Sequence, residues 1–562
     1  MHIAVKILEH IQYGVKKPYR NGRETKRKKW REGMSVVSYI FIVFFAVTVL
    51  IYYIVPKKIQ WWVLLAASVV FYAYSGIDDL LIVVGTAFLV YPLTMLMEKN
   101  LEEQDRLLLD ADKRTARKIK TAQKKKRKKY LVLALLIVIG ALIVFKVTGF
   151  AIENIKRFLP YEAIQRIPDW HFPAPLGVSF YSFMMISYLV DVYNGRIHAQ
   201  KNFLKYLSYV LYFPHITQGP IARYELVAHQ LWEKHKFDYD TVIKGTWLIL
   251  WGALKKMVMA DRISPFVTEV FKHSDQYEGM IFFLAAVMYS IQIYCDFSGC
   301  MDIVRGTSEC FGITLGENFR RPYFSQTLPE FWRRWHISLG AFFREYVFYP
   351  VSTSKILLKW NTKVRKYLGN AIGTGFASCV PILCVWILTG LWHGAKWNYI
   401  GWGLFHGILI CLSTLFEQPV AKLTEKLNIR TNCISWNIFR MLRTFLLCVI
   451  GRIIFMGSGI RASFHMIASC VVDRGTFYDI INTFALSQRE WGLILIGCLI
   501  LLCVSVAQEI REQMGIKEDI RSWLLRQNLW LRWLVLIVGI LCVLTFGVYG
   551  SGSHIAFIYE QF

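Results

Sequence analysis

The chain has 562 residues, of which 55% are hydrophobic and 19% are charged, and its formal net charge is +27. A soluble protein of this length contains about a quarter charged residues and divides into several domains. The apolar excess excludes an ordinary soluble enzyme and leaves no room for a sizeable soluble domain.

Positive charge is concentrated in two segments. Residues 1–33 hold ten Lys and Arg against three Glu, and residues 113–129 hold eleven basic residues and no acidic one, together +18 of the +27. Basic blocks of this kind bind nucleic acid or an anionic surface. Because both blocks adjoin apolar runs, we expect contact with the lipid bilayer and none with nucleic acid.

Apolar runs close to the roughly 20 residues that a membrane-spanning helix needs recur along the chain. Lipid offers backbone amides no partner, so each run must be helical. The sequence therefore predicts an all-α polytopic membrane protein with ten to twelve transmembrane helices. The candidate runs are 35–55, 61–75, 80–97, 131–149, 174–193, 242–258, 279–299, 372–391, 397–416, 438–457, 491–508 and 530–549.

The two basic segments conflict over topology. Segment 98–130 is predicted to be a basic cytoplasmic loop or an interfacial helix, and the positive-inside rule places the tail 1–33 on the same side. Three apparent spans separate them, so either one of the three does not cross, or the natural chain begins at Met34, directly before the first span. The predicted organisation is a basic tail, 1–33, followed by one membrane domain, 34–562.

Past the seventh run, a polar segment is predicted to form an amphipathic interfacial helix. Thr327 is placed to cap a helix that starts at Pro329, and Glu330 has capping-box spacing. His336 flanks the apolar stripe and is expected to point inward, while Arg334 points roughly the opposite way. Glu330 is spaced to pair with either Arg333 or Arg334. The stripe follows helical spacing and consists of Phe331, Trp335, Leu339 and Phe342.

His393 has a different setting. It lies in GLWHGA, between Gly390 and Gly394, where one span ends and the next begins. Flanking glycines allow backbone or substrate to approach closely. An ionisable residue at membrane depth indicates a functional site by default, and a neutral imidazole can act as a general base. His406 would point elsewhere on one continuous helix and is expected to be structural.

Two motifs in this order, PEFWRRWHISL at 329–339 and LTGLWHGAKWNYIGWGLFHG at 388–407, resemble the membrane-bound O-acyltransferase family. Shorter stretches such as FPHITQGPIARY, DFSGCMDI and the closing FIYEQF extend the similarity over nearly the whole chain from Met34. The branch that includes alginate O-acetylation is the most similar one, and teichoic-acid D-alanyl transferases are its nearest relatives within the family.

The resemblance implies a ring of helices, with re-entrant and interfacial helices, around a central tunnel in which a cytoplasmic acyl donor meets an outward-facing acceptor. Within the signature segment 316–407, it implies that His393 is the catalytic histidine and His336 the second polar residue of the active site. The predicted substrate-binding residues lie in the same motifs and are Arg333, Trp335, Trp392 and Asn398.

The expected reaction is O-acyl transfer, in the first place of an acetyl group, at the bacterial plasma membrane. His393 would take the proton of an acceptor hydroxyl, which attacks acetyl-CoA or another acyl thioester. His336 would either bond the carbonyl oxygen or orient the acceptor. The resemblance further implies an exported or membrane-anchored acyltransferase partner and an extracellular or cell-wall polysaccharide as acceptor. D-alanyl transfer to teichoic acid-type polymers is the alternative.

The chain offers no sign of a metal site, a bound cofactor or a covalent relay. Its twelve cysteines lie almost all in or beside apolar runs and lack metal-knuckle spacing, so they are expected to pack as small hydrophobes. No Ser or Cys lies in a nucleophile elbow.

Two other classes of protein also place histidine and arginine in a membrane. A proton-coupled exporter or lipid flippase predicts charges spread over several spans and often an internal repeat, and neither feature is evident here. A non-catalytic scaffold has no need of intact histidines at both motif positions.

The tail 1–33 is predicted to be dispensable. A chain that begins at Met34 should insert in the membrane and restore full acylation of the cell surface in a deletion strain, as measured by base-released ester-linked acyl groups. Loss of insertion or of activity would show that the tail is needed.

Overall fold

The fold was analysed in a computed structural model, which describes residues 34–160, 164, 172–472, 486–516 and 518–549. The predicted tail and the closing FIYEQF motif lie outside these residues. Apart from one isolated β-bridge, the regular elements of the described part are helices, so the predicted all-α class is confirmed.

The amino-terminal half contains eleven α-helices among the described residues. They are α1 Tyr39–Ile54, α2 Gln60–Ser75, α3 Ile77–Leu108, α4 Lys113–Lys146, α5 Thr148–Lys156, α6 Val178–Asn194, α7 Phe203–Leu211, α8 Tyr224–Trp232, α9 Tyr239–Ala253, α10 Asp261–Lys272 and α11 Ile281–Glu309. A π-helix, Leu254–Ala260, joins α9 to α10 without a break.

The carboxy-terminal half contains twelve more in the described ranges. They are α12 Leu328–Arg334, α13 Ile337–Phe343, α14 Tyr349–Ser352, α15 Lys355–Leu368, α16 Asn370–His393, α17 Trp397–Leu415, α18 Glu417–Lys426, α19 Ile434–Met456, α20 Ile460–Val472, α21 Gln488–Gln513, α22 Ile520–Leu525 and α23 Leu529–Phe546. A second π-helix, Arg344–Phe348, precedes α14.

Seven of the described helices are long and apolar enough to cross a membrane: α3, α4, α11, α16, α17, α21 and α23. This is fewer than the ten to twelve expected, because the runs that gave α1, α2, α6 and α9 form helices of only 15 to 17 residues, and α19, which has 23 residues, carries three arginines. Burial identifies the centre of the protein. In α11, 72% of the apolar stretch is buried inside the protein, against 6% in α21 and α23.

Of the two forms predicted for segment 98–130, a loop or an interfacial helix, the loop is wrong, because nearly all of this segment is helical. Helices α3 and α4 continue beyond their apolar parts and are joined only at residues 109–112. Asp112 caps α4 by accepting from the backbone N–H groups of Arg114 and Thr115, and Arg127 donates to Asn100 across the hairpin at 3.2 Å. The extensions of these helices consist mainly of polar residues, so hydropathy does not reveal them. The same residues nevertheless have a high helix propensity.

Helices α9 and α11 cross with their backbones in contact. A Cβ atom added to Gly252 would lie 2.4 Å from the carbonyl oxygen of Gly299, and one added to Gly245 would lie 2.7 Å from that of Gly306. The two glycines on each helix are seven residues apart, so they lie on one face. Small residues at such positions allow close helix packing in membranes, and here they hold α11 at the centre of the fold.

Next to this crossing, buried charges link the π-helix to α11. The ammonium group of Lys256 lies 2.6 Å from the Asp296 carboxylate and 2.7 Å from that of Asp261. Lys255 lies 2.6 Å from Asp302. The lysine ammonium groups and the carboxylates of Asp261 and Asp296 are at most 8% exposed, so each charge depends on its partners for compensation.

Lys256→Met is predicted to lower the free energy of unfolding by about 3–5 kcal/mol, because it leaves two buried carboxylates without their shared cation. Thermal unfolding of the detergent-purified protein measures this effect. The matched control is Lys272→Met, which removes an exposed lysine at the end of α10 and should leave the unfolding temperature unchanged. Unfolding of the Lys256 variant at or above the wild-type temperature would contradict the assignment.

Candidate active site

The predicted amphipathic helix is interrupted at His336, the histidine predicted to belong to the active site. The structure has two short helices, α12 and α13, separated by Trp335 and His336. His336 has a positive φ of 48°, which is uncommon for a residue with a side chain. The prediction of one continuous helix is therefore wrong. Its apolar stripe is nevertheless buried, because the chain turns inward at the break; the stripe residues are Phe331, Trp335, Leu339 and Phe342.

A short backbone clamp replaces the missing helical turn. Phe319 and Trp335 form an antiparallel bridge, the Arg320 N–H donates to the carbonyl of Arg334 at 2.9 Å, and the Ile337 N–H donates to that of Asn318 at 3.0 Å. Helical periodicity cannot reveal this arrangement, since the hydrogen bonds go to a segment outside the helix. The clamp fixes the backbone on both sides of His336.

The capping and pairing expectations for this segment are confirmed in part. The Thr327 hydroxyl accepts from the Glu330 N–H, and Glu330 pairs with Arg334 at 2.9 Å. The Glu330 side chain accepts from the Gln326 N–H at 2.9 Å, one residue before the capping-box position. Arg334 also contacts Glu509 of α21 at 3.2 Å. The Arg334 guanidinium therefore pairs with two carboxylates and does not face lipid.

Asn318 determines which ring nitrogen of His336 carries a proton. The Asn318 Oδ1 atom lies 2.9 Å from the backbone nitrogen of Ser338, which can only donate, so this atom is the amide oxygen. His336 Nδ1 lies 3.2 Å from the same oxygen and must therefore donate to it. Burial lowers the pKa of His336 to about 3, so the ring is neutral and its Nε2 atom carries a lone pair.

His393 is the last residue of α16 and faces a wall of aromatic rings. Gly394 ends the helix with φ 152°. The His393 ring lies 5.0 Å from the Trp402 ring and 5.5 Å from the Phe455 ring, centroid to centroid. A Cβ atom on Gly390 would lie 2.5 Å from the carbonyl oxygen of Tyr399. This flanking glycine therefore permits close packing of α16 against α17 rather than the approach of a substrate.

Trp392 brings the two histidines together. Its ring centroid lies 4.8 Å from that of His393 and 5.5 Å from that of His336. The backbone carbonyl of Trp392 accepts from the ammonium group of Lys146, at the end of α4, at 3.2 Å. The Arg452 guanidinium lies over the ring of Trp335, the residue before His336, at 4.8 Å. The predicted pair therefore forms one buried cluster with two cations beside it.

The remaining predicted substrate-binding residues lie in three different environments. Asn398 is buried and donates to the backbone carbonyl of Phe455 at 2.9 Å, so it positions a ring that contacts His393. Trp335 packs on Phe331 and lies under the Arg452 guanidinium at 4.8 Å. Arg333 is exposed beside a surface cavity of about 260 Å³.

His406 occupies an aromatic cage, as expected of a structural residue. Its ring packs within 5.5 Å of three tryptophan rings, those of Trp332, Trp386 and Trp402. A Cβ atom on Gly451 would lie 2.6 Å from His406 Nε2. The cage links α17 to α19, because Gly451 of α19 lies against the His406 ring, and to α16, because Trp402 contacts both His406 and His393.

Sequence reasoning missed three residues of this cluster. Lys146 and Arg452 are single basic residues in otherwise apolar stretches of α4 and α19, a signal that indicates function by default in a membrane. Asn318 had no comparable signal, since it lies in an irregular segment 18 residues before its partner.

The sequence model of the membrane-bound O-acyltransferase (MBOAT) family matches residues 197–362, which include α12, α13 and His336. The probable alginate O-acetylase of Pseudomonas syringae pv. tomato is 30% identical over 416 residues, 74% of this chain and 71% of that protein.

Two further relatives carry different names and match less of the chain. The peptidoglycan O-acetyltransferase of Helicobacter pylori is 27% identical over 319 residues, 52% of this chain and 56% of its own. The teichoic acid D-alanyltransferase of Bacillus subtilis is 28% identical over 249 residues, 43% of this chain and 60% of its own.

The protonation state of His336 provides a direct test of the Asn318 contact. Nitrogen NMR of histidine-labelled protein should show His336 protonated at Nδ1 and unprotonated at Nε2 at neutral pH, and His336→Gln identifies the signal by removing it. Asn318→Asp should raise the pKa of His336, because a carboxylate beside the ring favours imidazolium. Asn318→Ala should abolish the single tautomer. A wild-type ring protonated at Nε2 would contradict the assignment.

Proposed function

Since the chain belongs to the membrane-bound O-acyltransferase family, we propose that it moves an acetyl group from a cytoplasmic thioester to a hydroxyl group, for O-acetylation of an extracellular or cell-wall polysaccharide. It is a multi-pass membrane protein and an acyltransferase. Acetyl is favoured because the alginate relative matches 74% of the chain and the D-alanyl relative 43%. The proposed location is the bacterial plasma membrane.

The observation that carries the proposal is the buried pair of histidines that both contact the Trp392 ring. Two buried imidazoles against one ring suit proton transfer, and a transporter or a scaffold does not require them. His336 lies within residues 197–362, which the family model matches, and His393 lies in the second motif that resembles the family.

The position of this pair along the helices supports transfer across the membrane. The basic part of α4 ends at Lys129, about 25 Å along the helix from Lys146. Helix α15 carries five basic residues and no acidic one, and α16 then runs 24 residues, about 36 Å, to His393. Because basic segments stay cytoplasmic, these helix lengths support a site towards the opposite side of the membrane. A cytoplasmic donor would reach it from one side and the acceptor from the other.

We assign the chemistry to the two histidines as follows. His393 takes the proton of the acceptor hydroxyl while the hydroxyl oxygen bonds to the thioester carbonyl carbon, and the carbonyl π electrons move to oxygen. Collapse of this adduct re-forms the carbonyl, breaks the C–S bond, and returns the proton from His393 to the thiolate. His336 orients the acceptor, since its Nε2 lone pair accepts a hydrogen bond and cannot donate one to the carbonyl oxygen.

The donor and the partner belong to the same proposal. Acetyl-CoA or another acyl thioester is the donor, and no resident cofactor is required for this chemistry. An exported or membrane-anchored acyltransferase is the proposed recipient, which passes the acyl group to the polymer. D-alanyl transfer to a teichoic acid-type polymer is the second candidate, on the strength of the Bacillus subtilis relative. The identity of the base-released acyl group separates the two.

His393→Ala is predicted to lower acyl transfer by about 10²- to 10⁴-fold, the usual contribution of a positioned base. His336→Ala should lower it by less, because His336 orients a reactant and does not take the proton. The double variant should be little worse than His393→Ala, since residues that serve one transition state are not additive. Membranes with matched expression and a labelled acyl donor provide the measurement.

The control for these variants is His229→Ala, which removes an exposed histidine and should transfer at the wild-type rate. Near-normal transfer by His393→Ala would rule out the catalytic assignment. Losses that multiply in the double variant would show that the two histidines serve separate steps.

A further inference from the structure

Arg452 is a buried cation that the proposed chemistry has not yet used. It lies in α19 and is 3% exposed. Its Nε and Nη2 atoms are buried and have no hydrogen-bond partner among the described residues, and no carboxylate of the described part forms an ion pair with it. A buried guanidinium without hydrogen-bond or ion-pair partners destabilises the protein. Its presence therefore indicates that a bound ligand supplies the missing partner.

The surroundings of Arg452 place it at the histidine pair. Its guanidinium lies over the ring of Trp335, the residue before His336, at 4.8 Å. The same turn of α19 carries Phe455, whose ring contacts His393. Gly451, the residue before Arg452, lies against the His406 ring, since a Cβ atom added to it would lie 2.6 Å from His406 Nε2. Stacking on Trp335 supports the cation from one face and leaves its edge, with the N–H groups, for a ligand.

We propose that Arg452 binds the oxygen that becomes negatively charged during acyl transfer. This inference rests on the proposed function. When the acceptor hydroxyl adds to the thioester, the carbonyl π electrons move to oxygen, and the planar Nε–Nη2 edge donates two hydrogen bonds to it. When the C–S bond breaks, this charge returns to the carbonyl bond. Such donors act most strongly where water is excluded.

The other polar groups around His393 are less suited to this task. His336 presents a lone pair at Nε2, because its proton is on Nδ1. Lys146 is held by the carbonyl of Trp392. Arg452 combines a fixed charge with two buried donors that have no partner in the described part of the chain.

An anionic oxygen could also belong to the carboxylate of an acidic sugar or to a phosphate of the donor. These groups are charged before the reaction and contribute to binding, so their loss raises a KM value. The transition-state oxygen gains its charge only during the reaction, so loss of its donor lowers kcat with the donor KM unchanged. The two sources therefore have different kinetic signatures.

The experiment compares Arg452→Met and Arg452→Lys with the wild type, using labelled acetyl-CoA as the donor and detergent-purified full-length protein for thermal unfolding. Arg452→Met should lower kcat by about 10²- to 10³-fold, leave the KM for acetyl-CoA unchanged, and unfold at or above the wild-type temperature, because an uncompensated charge has been removed. The kcat of Arg452→Lys should lie between those of Arg452→Met and the wild type. Arg440→Met, on the same helix but only partly buried, is the control and should match the wild type.

Three results would overturn the proposal. A wild-type kcat in Arg452→Met would show that the guanidinium does not act on the reaction. A raised KM with an unchanged kcat would assign it to a carboxylate or phosphate in the ground state. A lowered unfolding temperature in Arg452→Met, with equal loss of activity in Arg452→Lys, would make it a structural residue.

Failure of the proposed function gives a separate result, namely a wild-type protein that transfers no acetyl or D-alanyl group. In that case the unfolding temperatures still decide the status of Arg452. If Arg452→Met is more stable than the wild type, the inference that this charge serves an anionic ligand still holds. If Arg452→Met is less stable, that inference is wrong.

Discussion

One side-chain oxygen organises the centre of this protein. The Asn318 Oδ1 atom accepts from His336 Nδ1 and from both the backbone and the hydroxyl of Ser338. The backbone of the same asparagine accepts from the Ile337 N–H. These contacts hold a histidine with positive φ in one position and one tautomer. Without them, neither the direction of the imidazole nor the atom that it presents would be defined, and a proton-transfer site requires both.

Around this fixed histidine, helix packing brings the second one to the same place. Close backbone contact of α9 with α11 centres α11, and Phe297 of α11 packs on the His336 ring at 4.7 Å. The glycines of α16 and α17 let those two helices pack tightly, which brings His393 and Trp392 towards His336. The cations Lys146 and Arg452 lie at the edge of this cluster. An excess of positive charge near neutral imidazoles suits a reaction in which negative charge develops on oxygen.

The sequence predicted the all-α membrane class and both histidines as candidate site residues, because apolar runs and ionisable residues within them are local signals. Prediction from the sequence failed where contacts between segments that are distant along the chain determine the local structure. The break at Trp335 depends on hydrogen bonds to 318–320, and a stripe with perfect helical spacing gave no warning of it. The loop prediction for segment 98–130 failed for the opposite reason, since its helices persist after their apolar residues end. Arg452 was visible as a charge in the apolar carboxy-terminal part of α19, but its role depends on partners that only the fold provides.

The most direct test of the account is a structure of the protein with a bound acetyl-CoA analogue in which a methylene group replaces the thioester sulfur. The analogue keeps the carbonyl group but cannot transfer it. The account predicts that its carbonyl carbon faces His393 and that its oxygen lies within hydrogen-bond distance of the Arg452 guanidinium. An acyl group bound elsewhere, for example in the surface cavity beside Arg333, would contradict the assignment of the buried histidine pair as the site of transfer.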